Sequence, residues 1–138
     1  MTKVSEPIIS LSEAQIKRAI EDYLAYGKNQ GKWWFCRLNA GSFVITNPNG
    51  SHRRRIQGVE EGTADYLVLQ PGNVQATYLG QEKGVAHPVC FVTFLEIKSP
   101  KGKTTQEQDE FAERAIEANC RYFIVRSVGE VEEALIRP

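Results

Sequence analysis

The chain has 138 residues, 41% of them hydrophobic, enough for one ordinary globular domain with its own core. Seventeen Lys and Arg balance seventeen Asp and Glu, which excludes a uniformly basic nucleic-acid coat, so any phosphate contact must come from local charge clusters. The apolar runs fall far short of the ~18 residues of a membrane span, and three cysteines, odd in number and set among apolar neighbours, suit buried reduced thiols in the cytoplasm.

Residues 1–10 read as a loose end, and no signal peptide or repeat is evident. Ser12-Glu13-Ala14-Gln15 is a capping box opening a helix, with Ile16, Ala19, Ile20, Tyr23 and Leu24 as its apolar stripe and Gly27 as its end. Strands are predicted at 33–38 and 42–45, then a turn at Asn47-Pro48-Asn49-Gly50. His52-Arg53-Arg54-Arg55 reads as a cationic loop. Asp65–Leu69 is a strand, Pro71-Gly72-Asn73 a turn, and Gln75–Leu79 a possible short strand; the stretch between Leu69 and Val89 reads as a loop longer than the core requires.

Val89–Lys98 is almost wholly apolar and reads as a strand inside a sheet, stopped by Ser99-Pro100. A second helix starts with Thr105 as N-cap and Gln108 at its third position, and Asn119 is its left-handed terminator. Arg121–Arg126 is a strand, and Ser127 caps a last short helix containing Val131, Ala134 and Leu135. The order of elements predicts a layered α/β domain over 11–138 with a mixed sheet.

Glu96 and Lys98 alternate onto one side of the apolar strand, roughly 7 Å apart along it. A buried charge costs several kcal/mol unless it is paired or bound to metal, so an E-x-K step at a strand end reads either as a structural ion pair or as chemistry. Three further polar residues stand at core-facing positions, each with two readings. Glu13 shares a helix face with Ile16 and Ile20, or serves the helix dipole. Asp65 begins an apolar strand, or belongs to the turn after Gly62-Thr63. Gln108 faces the sheet beside Phe111, Ala112 and Ala115, or only completes its capping box. Together Glu13, Asp65 and Glu96 offer hard oxygen ligands of the kind that favour Mg²⁺ or Mn²⁺, with the Ile97 carbonyl as a further donor and Lys98 poised beside an attacking water.

Asp65, then Glu96-Ile97-Lys98, then Gln108 resemble the PD-(D/E)XK nuclease superfamily, and within it the VRR-NUC family. Arg37-Leu38-Asn39-Ala40-Gly41 is similar to its Arg-x-Asn-x-Gly segment, and Gly62-Thr63-Ala64-Asp65 to its Gly-x-Pro-Asp step. Tyr122–Ser127 is similar to its closing strand, with Val125 where the name-giving motif has its first Arg. The resemblance implies a restriction-endonuclease-like core with α-β-β-β-α-β order and a metal-dependent DNA endonuclease, active as a homodimer on branched DNA such as Holliday junctions. Its setting would be bacterial or phage-infected cytoplasm. By position, Glu13, Asp65 and Glu96 would hold metal, Lys98 would serve the water and Gln108 would orient the site. Arg37 and Asn39 would join Arg53, Arg54, Arg55, Lys101 and Lys103 in holding DNA. A nuclease for flaps or linear ends, and a non-catalytic module that binds DNA structure, are the alternatives.

Other chemistries find less support. His87 and Cys90 form half a zinc site without its other half, each Cys reads as a core residue rather than a nucleophile, and the glycines make no phosphate loop. Of Trp33, Trp34 and Phe35, two are expected to pack within the fold rather than stack on bases.

Overall fold

A computed structural model describes residues 10–40, 42–50, 53–80 and 83–136. The fold is mixed α/β: α1 (Glu13–Asn29), β1 (Trp34–Arg37), β2 (Ser42–Thr46), β3 (Arg53–Gln57), β4 (Tyr66–Ala76), β5 (Val85–Ile97), α2 (Gln106–Glu117), β6 (Arg121–Val125) and α3 (Val128–Leu135). The main sheet has the order β1-β4-β5-β6; β5 and β6 are parallel and the other pairs antiparallel. A separate antiparallel pair, β2 and β3, lies between β1 and β4 in sequence. The expected loose segment 1–10 falls, apart from Ser10, outside the described residues.

Strand alternation sorts the two faces of the sheet. Tyr66, Val68, Leu95, Ile97 and Val125 bury one face against Ile16, Ile20 and Leu24 of α1 and Val131 and Leu135 of α3. Phe94 and Tyr122 point the other way and meet Phe111 of α2, the Phe94–Phe111 rings edge-to-face at 5.0 Å. Both capping boxes form as the sequence predicts, and Asn119 takes a positive φ of 63° after α2.

Several expectations are corrected. Gly27 does not end α1; the helix continues to Asn29 because Gly27 is there for contact, lying under the Trp33 ring. An added Cβ would come within 1.9 Å of Trp33 Cζ2, and the indole N–H donates to the Leu24 carbonyl at 2.9 Å. Ala19, placed in the apolar stripe, is exposed. Pro71-Gly72-Asn73 is no turn, and most of the stretch expected as a loop after Leu69 is strand, with non-strand residues described only at 77–80 and 83–84. β4 runs through to Ala76, paired with β5 as far as Ala76↔Val85. Pro71 and Pro88 are tolerated because β1 pairs no further than Leu69 and β6 begins only opposite Thr93, leaving each proline a strand partner on one side alone.

Arg53–Arg55 stand in β3 rather than in a loop, since alternation with β2 gives this basic run a hydrogen-bonded partner. The cysteines are less buried than expected: Cys36 and Cys120 are half-buried, and Cys90 is exposed because it lies in the outward-reaching first half of β5, which is mostly exposed. Trp33 is buried and Phe35 packs against the core, whereas Trp34 is 48% exposed.

Candidate active site at the end of the central strand

The last residues of β5 meet the start of β4, the N-terminus of α2 and the first turn of α1. Tyr66 pairs with Leu95, so Asp65, one residue earlier, arrives beside Glu96. Asp65 is fixed there by two backbone bonds: its Oδ2 accepts the Ile97 N–H at 2.8 Å, and its carbonyl accepts the Leu38 N–H at 2.8 Å. The approach to Asp65 needs Gly62, whose φ is +87° and whose added Cβ would sit 2.4 Å from the Glu107 carbonyl group. Ala64, just before Asp65, is fully buried.

Glu96 is 3% exposed. Its Oε1 accepts from Gln108 Nε2 at 2.8 Å and lies 3.6 Å from the Lys98 ammonium. Gln108 therefore fills both roles offered by the sequence, because its Oε1 also accepts the Thr105 N–H at 2.9 Å to close the capping box. Glu96 Oε2 is buried and has no hydrogen-bond partner among the described residues, and the same holds for the Tyr122 hydroxyl near it. Burial, followed by the Asp65 charge, raises the Glu96 pKa to about 7, against the pull of Lys98 and Lys17. Burial likewise holds the Tyr122 phenol above its ordinary range, with Glu96, Asp109 and Asp65 adding to the effect.

Glu13 stands at the edge of this group rather than inside it. Lys17, four residues on, places its ammonium 3.3 Å from Glu13 Oε1 and 3.1 Å from Asp65 Oδ1. Burial works against that charge, but Asp65 and Glu13 outweigh it and the Lys17 pKa is raised. Among the described residues no three His, Cys, Asp or Glu side chains are gathered as a cation-binding group. The donors nonetheless fit a hard cation in kind. Asp65 and Glu96 are adjacent carboxylates, the set is all oxygen, and a buried carboxylate oxygen is left without a partner.

The expected phosphate-binding residues spread more widely. Arg37 is exposed and lines a cleft of about 410 Å³ with Ala14, Lys17, Arg18, Glu21 and Tyr66. The Tyr66 hydroxyl donates to Glu21 at 2.6 Å across it. Asn39 is exposed and its carbonyl accepts the Val59 N–H. Lys101 and Lys103 are exposed on the loop between β5 and α2, beside the site. Arg126 braces that loop, donating to the Ser99 carbonyl and, at 2.9 Å, to that of Gly102. Arg53 and Arg54 are placed by their backbone in β3, with Arg55 exposed after them.

Sequence reasoning missed Lys17 and Tyr122. The i, i+4 spacing of Glu13 and Lys17 was a usable signal for the first. Nothing local marks the second, whose neighbours come from β5 and α2. Comparison with protein-family models, with curated proteins and with solved structures found no match to this chain.

Proposed function

We propose that the chain is a divalent-metal-dependent DNA endonuclease that hydrolyses phosphodiester bonds, with branched DNA as its preferred substrate and a homodimer as its working form. The observation that carries the reading is the buried Glu96 carboxylate at the end of β5, held by Gln108 and Lys98 and set beside the backbone-clamped Asp65. Leaving aside the β2–β3 pair, the main-sheet strands and the first two helices follow the order α-β-β-β-α-β, which supports a restriction-endonuclease-like core.

Asp65 and Glu96, with the Ile97 carbonyl and Glu13, would hold Mg²⁺ or Mn²⁺. Such a cation supplies positive charge opposite the phosphate and makes water easier to deprotonate. The chain's own groups do the rest. The Ile97 N–H keeps Asp65 from rotating away, and Gln108 fixes one oxygen of Glu96, leaving the other without a partner among the described residues. Lys98 sets its ammonium next to the attacking water and the phosphate oxygens. In hydrolysis the water oxygen forms a new P–O bond as the bond to the leaving sugar oxygen breaks; one proton leaves the water and one joins the leaving oxygen. Lys101 and Lys103, with Arg53–Arg55 of β3, would track the backbone. Paired sites in a two-fold dimer suit the two cuts that a four-way junction requires. The proposed setting is bacterial or phage-infected cytoplasm, and no described helix is long and apolar enough to cross a membrane.

The test is cleavage of end-labelled four-way junction, flap, linear duplex and single strand with Mg²⁺, Mn²⁺ or EDTA. Symmetric junction cuts are expected, lost with EDTA and reduced at least about 100-fold in Asp65→Asn and Lys98→Ala, while junction binding stays within a few-fold. Cutting of flaps or linear ends instead would keep the site and replace the substrate. Binding without cutting under every metal would make the chain a structure-recognition module.

A further inference from the structure

Lys17 has no place in the motif resemblance, yet two of the three expected ligand carboxylates meet through it. Its ammonium is 3.1 Å from Asp65 Oδ1 and 3.3 Å from Glu13 Oε1. Those oxygens are turned toward an ammonium of the chain, while Glu96 Oε2 beside them is buried and without a partner among the described residues. Glu13, Asp65 and Glu96 are thus offset by Lys17 and Lys98, a nearly neutral cluster in a partly desolvated corner. A divalent cation on Asp65 and Glu13 would compete with Lys17 for these two carboxylates, and two cations on one carboxylate repel strongly where water is scarce. Lys17 also lines the cleft between α1 and the β1–β4 edge, where Arg18 and Arg37 stand with Glu21 and Asp22, so a rotation of its flexible chain gives the ammonium somewhere to go.

Building on the nuclease reading, we propose that Lys17 is the site's own cation, in competition with a divalent metal for Glu13 and Asp65. It draws Glu13 and Asp65 together through one ammonium, and it gives way when a divalent cation binds, moving into the cleft beside Arg18 and Arg37 to face a phosphate of the bound strand. Lys17 is in this sense a positioning residue whose charge is exchanged for that of the metal. The exchange weakens metal binding to the free protein and favours it when DNA offers Lys17 a phosphate.

The test is calorimetric titration of the full chain with Mn²⁺, without DNA. Lys17→Met should bind Mn²⁺ at least about tenfold more tightly than the wild type, because a competing charge has been removed. Lys17→Gln carries the same expectation if the methionine variant folds poorly. Arg18→Gln removes an equal charge one residue away without touching a carboxylate, and should stay within about threefold of the wild type. Equal affinity in Lys17→Met and wild type, or equal tightening by Arg18→Gln, would overturn the exchange. Absence of Mn²⁺ binding in every variant, or binding that survives Asp65→Asn, would instead overturn the metal site itself. In the wild type, the Lys17 side-chain ammonium signal in NMR should shift as diamagnetic Mg²⁺ is added; a fixed signal with Mg²⁺ bound contradicts displacement.

Discussion

Glu96 is buried yet ionisable, and its neighbours set the pH at which it carries charge. Burial and Asp65 favour the neutral acid strongly enough to raise the pKa from 4.5 to about 7 despite Lys98 and Lys17. The unfolded chain gives up this proton near 4.5, whereas the folded chain keeps it to about 7. The native state therefore binds more protons in that window, and the stabilising contribution is full below 4.5 and lost as pH rises through about 7. Glu96→Gln fixes the neutral form. In EDTA it should match the wild type near pH 3.5 and exceed it by about 2–3 kcal/mol near pH 8. Urea unfolding at the two pH values measures this, and a stability difference that does not change with pH would contradict it. The same charge matters for metal, since a protonated Glu96 is a poor ligand and Mn²⁺ affinity should rise with pH toward 7.

At the level of elements, close backbone approaches position the site. Helix α1 delivers Glu13 and Lys17, and its far end is seated by Trp33 over Gly27. Ala is a better helix former than Gly by about 1 kcal/mol. Gly27→Ala should nevertheless destabilise the protein by about 1–3 kcal/mol, because the new methyl would overlap the indole and force helix and ring apart. Chemical denaturation is the check, and a stabilised variant would mean that the helix end adjusts freely. Gly62 has the corresponding role at α2, where its positive φ and its contact with the Glu107 backbone bring Asp65 into line. The two-stranded ribbon of β4 and β5 beyond Leu69 contributes nothing to this geometry, since the site is assembled at the opposite end of those strands.

Over the whole molecule the charges cancel, so the proposed hold on DNA rests on the arrangement of cations rather than on net charge. Lys101 and Lys103 are exposed beside the site, and Arg53–Arg55 form a second cationic segment on β3. Affinity for DNA should fall linearly with salt on a log–log plot. A Lys101→Gln, Lys103→Gln double variant should lower that slope by about 2, one for each phosphate that is no longer neutralised. Fluorescence anisotropy in EDTA across a salt series gives the slope directly. An unchanged slope would move the DNA path away from the β5–α2 loop.

Features written within a few residues of one another were legible in the sequence. The capping boxes at Ser12 and Thr105, the left-handed Asn119, the interior strand ending in Glu96 and Lys98, and the α/β order all rest on local hydrogen-bonding chemistry or on alternation along one strand. Gln108 was legible in the same way, as a cap that also faces the sheet. What the sequence left open depended on contacts between distant segments. Pro71 and Gly72 carry strong turn signals, but pairing with Val89 and Cys90 and a free neighbouring edge keep them in β4. Gly27 looks like a helix terminator until Trp33 is found above it. Lys17 reads as one more solvated helix lysine, and only the tertiary fold brings it to Asp65, 3.1 Å away. The charge state of Glu96 was equally out of reach, because it is set by burial beneath α2 and by an Asp from another strand. Residue types and local order come from the chain alone, whereas desolvation and charge pairing exist only once separate segments are packed together.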